Sequence, residues 1–167
     1  MNASRCRVLA ALLAWTVAAP ATRASAQAAT ATVSANVSQL AKLNLSTANA
    51  SFPDADPDLL PQIPTTGGPI LISAKSRATP GMQVVLTLQA ADDLRSGVNV
   101  IAASNITWTA TGAGFVSGTL SKLSPVTLAT WTGSGVRTGS QQLYLRNLWT
   151  HPTGTYTVSL LYTLSAP

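Results

Sequence analysis

Apolar and polar residues alternate along several separate segments of this chain, and the alternation is most regular near the C-terminus. Every second residue from Tyr156 to Leu164 is apolar, and most of the residues between them are threonine or serine. A period of two places successive side chains on opposite faces of a β-strand, one buried and one in water. The same pattern predicts strands at residues 30–37, 43–45, 70–76, 82–90, 106–110, 115–120, 126–131, 143–145 and 156–164.

Glycine and proline separate these segments. Turn signals of this kind occur at residues 79–81, 93–97, 112–114, 133–135 and 152–154. Residues 52–69 contain five prolines, which excludes a central strand and predicts a crossover loop. Short strands at this spacing predict an all-β fold, an antiparallel β-sandwich of immunoglobulin-like or Greek-key type with about 7–9 strands.

The first 26 residues have the order of a secretory signal peptide. Arg5 and Arg7 precede an apolar run at residues 8–19, and Ala24-Ser25-Ala26 offers a cleavage site. We therefore expect a leader at residues 1–26 and a single domain at 27–167, which is secreted to the periplasm or cell surface of a bacterium. Since Cys6 precedes the apolar run, we expect neither a lipid anchor nor a thiol in the processed domain. No later segment is long and apolar enough to predict a transmembrane helix.

Removing the leader changes the charge balance. The chain carries ten basic residues and five acidic ones, and three of the basic residues lie in the leader. The remaining basic residues are scattered singly along the chain, so the sequence predicts no stripe for a nucleic-acid backbone.

The sequence offers few groups for catalysis or metal binding. Asp54, Asp56 and Asp58 have a spacing that could converge on Ca²⁺, although a solvated turn whose carboxylates cap local amides is the favoured interpretation. His151 is the only histidine, and no serine lies in a Gly-x-Ser-x-Gly elbow. We therefore expect no enzyme activity and no cofactor.

Three aromatic residues are candidates for binding a sugar or a protein partner. Trp131 and Trp149 stand at strand ends beside loops, and Tyr144 lies on a predicted strand. An aromatic ring exposed at such a place can stack on a sugar or anchor a partner. The alternative, which we favour for the tryptophans, is a ring folded over the end of the core.

The two ends of the domain resemble two groups of secreted bacterial β-sandwich proteins. Trp108-Thr109-Ala110 and Tyr162-Thr163-Leu164 are similar to the paired motifs of WxL cell-wall-binding domains, with one residue changed in each. Gly154-Thr155-Tyr156-Thr157 and the alternating N-terminal segment resemble archaic fimbrial and spore-coat-U-like proteins, without their early cysteine. The leader, the sandwich pattern and the shortage of catalytic groups predict a non-enzymatic surface or assembly protein that contacts other surface proteins or itself. The resemblance to WxL domains implies the alternative, a module that binds cell-wall glycan. In the assembly interpretation, residues 28–37 add a strand to a neighbour.

Overall fold

The computed structural model describes residues 32–167, and Asn36–Pro167 form one compact unit. The predicted leader at residues 1–26 lies outside the described residues. The described chain contains eleven β-strands and one turn of 3-10 helix, Ala103–Asn105. The strands are Leu40–Leu45 (β1), Gln62–Pro64 (β2), Ile70–Arg77 (β3), Gln83–Ala90 (β4), Leu94–Ser96 (β5), Asn99–Ile101 (β6), Ile106–Thr111 (β7), Gly118–Thr119 (β8), Val126–Thr132 (β9), Gly135–Arg146 (β10) and Leu160–Ser165 (β11).

The long strands form two antiparallel sheets. Sheet A has the order β1-β3-β10-β7-β8, and β2 also pairs with β10. Sheet B has the order β11-β4-β9, and β5 and β6 form a separate hairpin. The edge strands β1 and β11 of the two sheets lie next to each other on one side of the unit.

The inner faces of the two sheets supply the core. In β4 the alternate residues Val84, Leu86 and Leu88 are fully buried, as the period of two predicts. Trp108 on β7 is buried as well, and its indole N–H donates to the Val116 carbonyl at 2.9 Å. The prediction of an antiparallel β-sandwich is confirmed; the higher strand count comes from the short strands β2, β5 and β6, which the alternation does not predict.

Strand β10 is much longer than the sequence predicts, because glycine in this strand serves packing rather than a turn. Only residues 143–145 show the alternation, yet the strand runs without interruption from Gly135 to Arg146. A Cβ atom on Gly139 would lie 2.6 Å from the Phe115 ring and 2.6 Å from the Thr111 carbonyl oxygen. The absent side chain lets β7 and Phe115 approach β10 closely.

The prediction of a strand at residues 30–37 is wrong for the part that the structure describes. Residues 32–39 belong to no strand, and the first strand begins at Leu40. Val33 is 92% exposed and Val37 is 69% exposed. Alternation is necessary for a half-buried strand, but a strand also needs a neighbour, and this segment pairs with none of residues 32–167.

The proline-rich crossover, residues 52–69, lies between β1 and β3, which pair with each other in sheet A. Its only strand is β2, which has three residues and pairs with β10 through Pro64 opposite Tyr144. Phe52 at its start packs against the core. Residues 93–97, predicted as a turn, form instead the strand β5 and its tight turn at Gly97, whose φ is +59°. Residues 32–167 contain no helix that is long and apolar enough to cross a membrane.

Candidate functional site

An N-terminal arm, residues 32–39, precedes β1 in the sequence and is the first candidate binding segment. In the arm, Val33, Ala35 and Val37 alternate with polar residues, and every residue of the arm is exposed. The arm leads directly into β1, which pairs only with β3 within the described residues. This segment therefore has the composition of a strand but no partner among residues 32–167.

Strand β11 is the open edge of sheet B. Its inward-facing residues Leu160, Tyr162 and Leu164 pack against the core but stay only half-buried. The Ala91 amide donates to the Ser159 carbonyl, and the register continues with Leu161 opposite Gln89. Antiparallel pairs alternate between bonded and non-bonded positions, so the backbone groups of Leu160, Tyr162 and Leu164 face away from β4. These backbone groups have no strand partner within residues 32–167.

A hydrogen bond between the two sheets fixes β11. The Tyr162 hydroxyl donates to Oε1 of Gln141 on β10 at 2.8 Å, and the Gln141 side chain is completely buried. The Nε2 atom of Gln141 has no partner among the described residues. Burial raises the pKa of Tyr162 to about 12, because the phenolate form would lose its hydration.

The outer face of sheet A gathers basic residues that are far apart in the sequence. Lys42 on β1 stands directly opposite Lys75 on β3, and Leu40 stands opposite Arg77. The buried residues of β3 are Ile70, Ile72, Ala74 and Ser76, so Lys75 and Arg77 point outward. Among residues 32–167, no carboxylate lies within 4.0 Å of any of these three cations. This cluster is not visible in the sequence, because only the register of β1 on β3 brings its members together.

An open groove of about 570 Å³ lies beside this basic cluster on sheet A. Asn44, Ser73 and Thr138 form the row next to Lys42, Lys75 and Val136 in the sheet register. The side chains of these three polar residues make no hydrogen bond to the part of the chain that the structure describes. Leu71 lines the groove further along and is mostly exposed. The surface of the groove is mostly apolar, and the amide and hydroxyl groups lie at the end that is next to the basic cluster.

The three aromatic candidates have different environments. Trp149 is 70% exposed, and its indole N–H donates to Oδ1 of Asp58 at 3.1 Å. Trp131 is 7% exposed, and its indole N–H donates to the Ser76 hydroxyl at 3.2 Å, so this ring lies in the core and has no free face. Tyr144 is half-buried in β10 between Pro64 and Thr107. The structure does not bring the three rings together.

Asn147 ties the loop of Trp149 to the proline-rich crossover. Its side-chain amide donates to the carbonyls of Ala55 and Leu60, and its backbone amide donates to Pro61. The loop that carries the exposed Trp149 ring is therefore attached to the crossover by three hydrogen bonds. Leu59, which is also exposed, lies next to Asp58 on the crossover.

The three carboxylates of the aspartate triplet each accept a separate hydrogen bond. Asp54 accepts from the Ala55 amide, Asp56 from the Asp58 amide, and Asp58 from Trp149. All three side chains are exposed, and residues 32–167 contain no cluster of three acidic, histidine or cysteine side chains that could hold a metal ion. Asp54 and Asp56 cap local amides, as the favoured interpretation from the sequence expects, whereas Asp58 accepts from a distant side chain.

The second pair of aspartates has a structural role at the surface. Arg95 donates to Asp92 at 2.8 Å, and Lys122 pairs with Asp93, which also accepts from the Ala103 amide at 2.9 Å. The Arg95 hydrogen bond lowers the pKa of Asp92 to about 2, and the Lys122 hydrogen bond lowers that of Asp93. This network joins β5 to the segments that follow β6 and β8.

His151 stands apart from the potential nucleophiles. Its backbone amide donates to Leu148, and within residues 32–167 its imidazole bonds to no serine or aspartate. Burial and the neighbouring Arg146 cation lower the pKa of His151, because both disfavour the charged imidazolium. The described residues therefore do not place it in a Ser-His-Asp arrangement.

Comparisons with known proteins were made at three levels. No protein-family model matches this chain. No curated protein and no solved structure matches it either.

Proposed function

We propose that this protein is a non-enzymatic, exported bacterial surface or assembly protein, and that its N-terminal arm adds a strand to a neighbouring molecule. The observation that carries the proposal is the arm itself. It alternates like a strand, exposes Val33 and Val37, and pairs with none of the described residues. An extended segment of this kind gains backbone hydrogen bonds and buries alternate side chains when it joins a sheet edge.

The β11 edge supplies the matching half of the interaction. An added strand beside β11 would complete the cover over Leu160, Tyr162 and Leu164, whose side chains are only half-buried. The arm repeats its apolar residues at the same period of two, so Val33, Ala35 and Val37 can all face the core together. Exposed edges with unpaired backbone groups are the usual places where sheets extend.

The test is the oligomeric state of the purified protein over a range of concentrations. The double variant V33D/V37D places two charges on the apolar face of the arm and is expected to abolish oligomers. The matched control S34D/N36D adds the same charge to the opposite face and is expected to keep them. Light scattering after size exclusion measures both. Monomers of the unmodified protein at every concentration would contradict self-assembly.

A second candidate function is a carbohydrate-binding module of the WxL-like kind. Trp149 favours it, because the ring is 70% exposed and its direction is fixed by the hydrogen bond to Asp58. The variant W149A should lose co-sedimentation with insoluble peptidoglycan, whereas L59A, which removes another exposed apolar side chain, should retain it. Absence of co-sedimentation by the unmodified protein would remove this candidate.

A further inference from the structure

We propose that the outer face of sheet A binds an acidic polysaccharide, with its sugar hydroxyls in the open groove and its carboxylates on Lys42 and Lys75. This site shares no residue with the arm and does not depend on the function proposed above. It rests on three observations: two lysines placed opposite each other, an adjoining row of polar side chains without partners, and the groove that contains that row.

The pairing of Lys42 with Lys75 is the first step. Residues directly opposite in antiparallel strands have Cβ atoms about 4.5–5.5 Å apart, and like charges at this distance repel. Arg77 adds a third cation on the same face of β3. No acidic side chain among residues 32–167 forms an ion pair with Lys42, Lys75 or Arg77. The ion pairs of the described residues all belong to the network around Asp92 and Asp93. An anionic ligand would remove the repulsion.

The side chains that line the groove indicate which class of anionic ligand binds there. Next to the lysines stand Asn44, Ser73 and Thr138, which can donate to and accept from sugar hydroxyls. Leu71 adds an apolar contact of the kind that the C–H face of a sugar uses. A groove of about 570 Å³ that is open to solvent accommodates several sugar units of a chain. A nucleic acid or an anionic membrane would use the lysines but would not need the hydroxyl row.

The test is affinity electrophoresis of the purified protein through gels that contain polygalacturonate, with dextran as the neutral comparison. Polygalacturonate should retard the protein, and dextran should not. K42Q and K75Q should each weaken the retardation about fivefold, the factor expected for one ion pair near a wet surface. R146Q removes the same charge from an exposed residue at the far end of β10 and should leave the retardation unchanged.

The variant T138V separates recognition by the groove from attraction by charge alone. It removes one hydroxyl while keeping the shape and charge of the side chain, and it should weaken polygalacturonate binding by about threefold to tenfold. Equal losses in R146Q and K75Q, or full retardation of T138V, would overturn the proposal in favour of unspecific charge binding. Binding to anionic phospholipid vesicles or single-stranded DNA as tight as to polygalacturonate would also overturn it.

Discussion

The hydrogen bond between Tyr162 and Gln141 allows a sharp test of how β11 is held on the sandwich. Tyr162 is the only hydrogen-bond partner of the buried Gln141 amide within residues 32–167. The variant Y162F keeps the ring but leaves both polar atoms of that amide without a partner. A buried polar group that loses its partner costs about 1–3 kcal/mol of folding free energy.

Two further variants make the reasoning quantitative. Tyr156 donates to the Pro152 carbonyl at 2.8 Å at an exposed position, so Y156F should cost less than about 1 kcal/mol, because water replaces the lost donor. Q141M removes the buried amide and keeps a similar volume. The double variant Q141M/Y162F should therefore be more stable than Y162F alone, since no orphaned polar group remains.

Urea unfolding followed by tryptophan fluorescence measures these differences, because Trp108 and Trp131 are buried. The midpoints of Y162F, Y156F and the double variant give the free energies and the coupling between Tyr162 and Gln141. The reasoning would be refuted if Y162F and Y156F lost the same stability. It would also be refuted if the double variant were less stable than Y162F.

Three further outcomes follow from the same structure. Because the folded pKa of Tyr162 is raised to about 12, the stability it contributes is complete below pH 10 and is lost as the pH rises toward 12; pH titrations of unfolding should show a shallower loss in Y162F, and identical profiles would contradict this. G139A should destabilise the protein by about 1–3 kcal/mol through overpacking, whereas G135A on the same strand should cost under about 0.5 kcal/mol, as thermal unfolding can check. K75T should stabilise the free protein by about 0.2–1 kcal/mol at low salt, a gain that 1 M NaCl should remove; a loss of stability would exclude cross-strand repulsion.

The regular strands could be predicted from the sequence because their signal is local. Val84, Leu86 and Leu88 show the period of two within a few residues, and the sandwich buries them. The same rule failed at residues 32–37, because alternation does not reveal whether a pairing strand exists. It also missed the first part of β10, because residues 135–142 do not alternate and Gly139 is there for close packing.

The candidate sites depended on contacts that the sequence does not display. Trp131 and Trp149 both stand near strand ends. The indole N–H of Trp131 donates to Ser76 on another strand inside the core, whereas that of Trp149 donates to the exposed Asp58. Lys42 and Lys75 become neighbours only through the register of β1 on β3. The charge balance could be counted from the sequence, but the position of the charges on the surface could not.

The position of β10 has a consequence for the order in which the chain can fold. This strand lies between β3 and β7 and also carries β2, yet it begins only at Gly135. Sheet A therefore cannot assemble until most of the chain has been synthesised, and sheet B waits longer still for β11. Pairings between distant segments slow folding, because the loop must close before its contacts form. A nascent chain shorter than about 135 residues therefore lacks the strand that joins β3 to β7, so sheet A can be completed only late in synthesis.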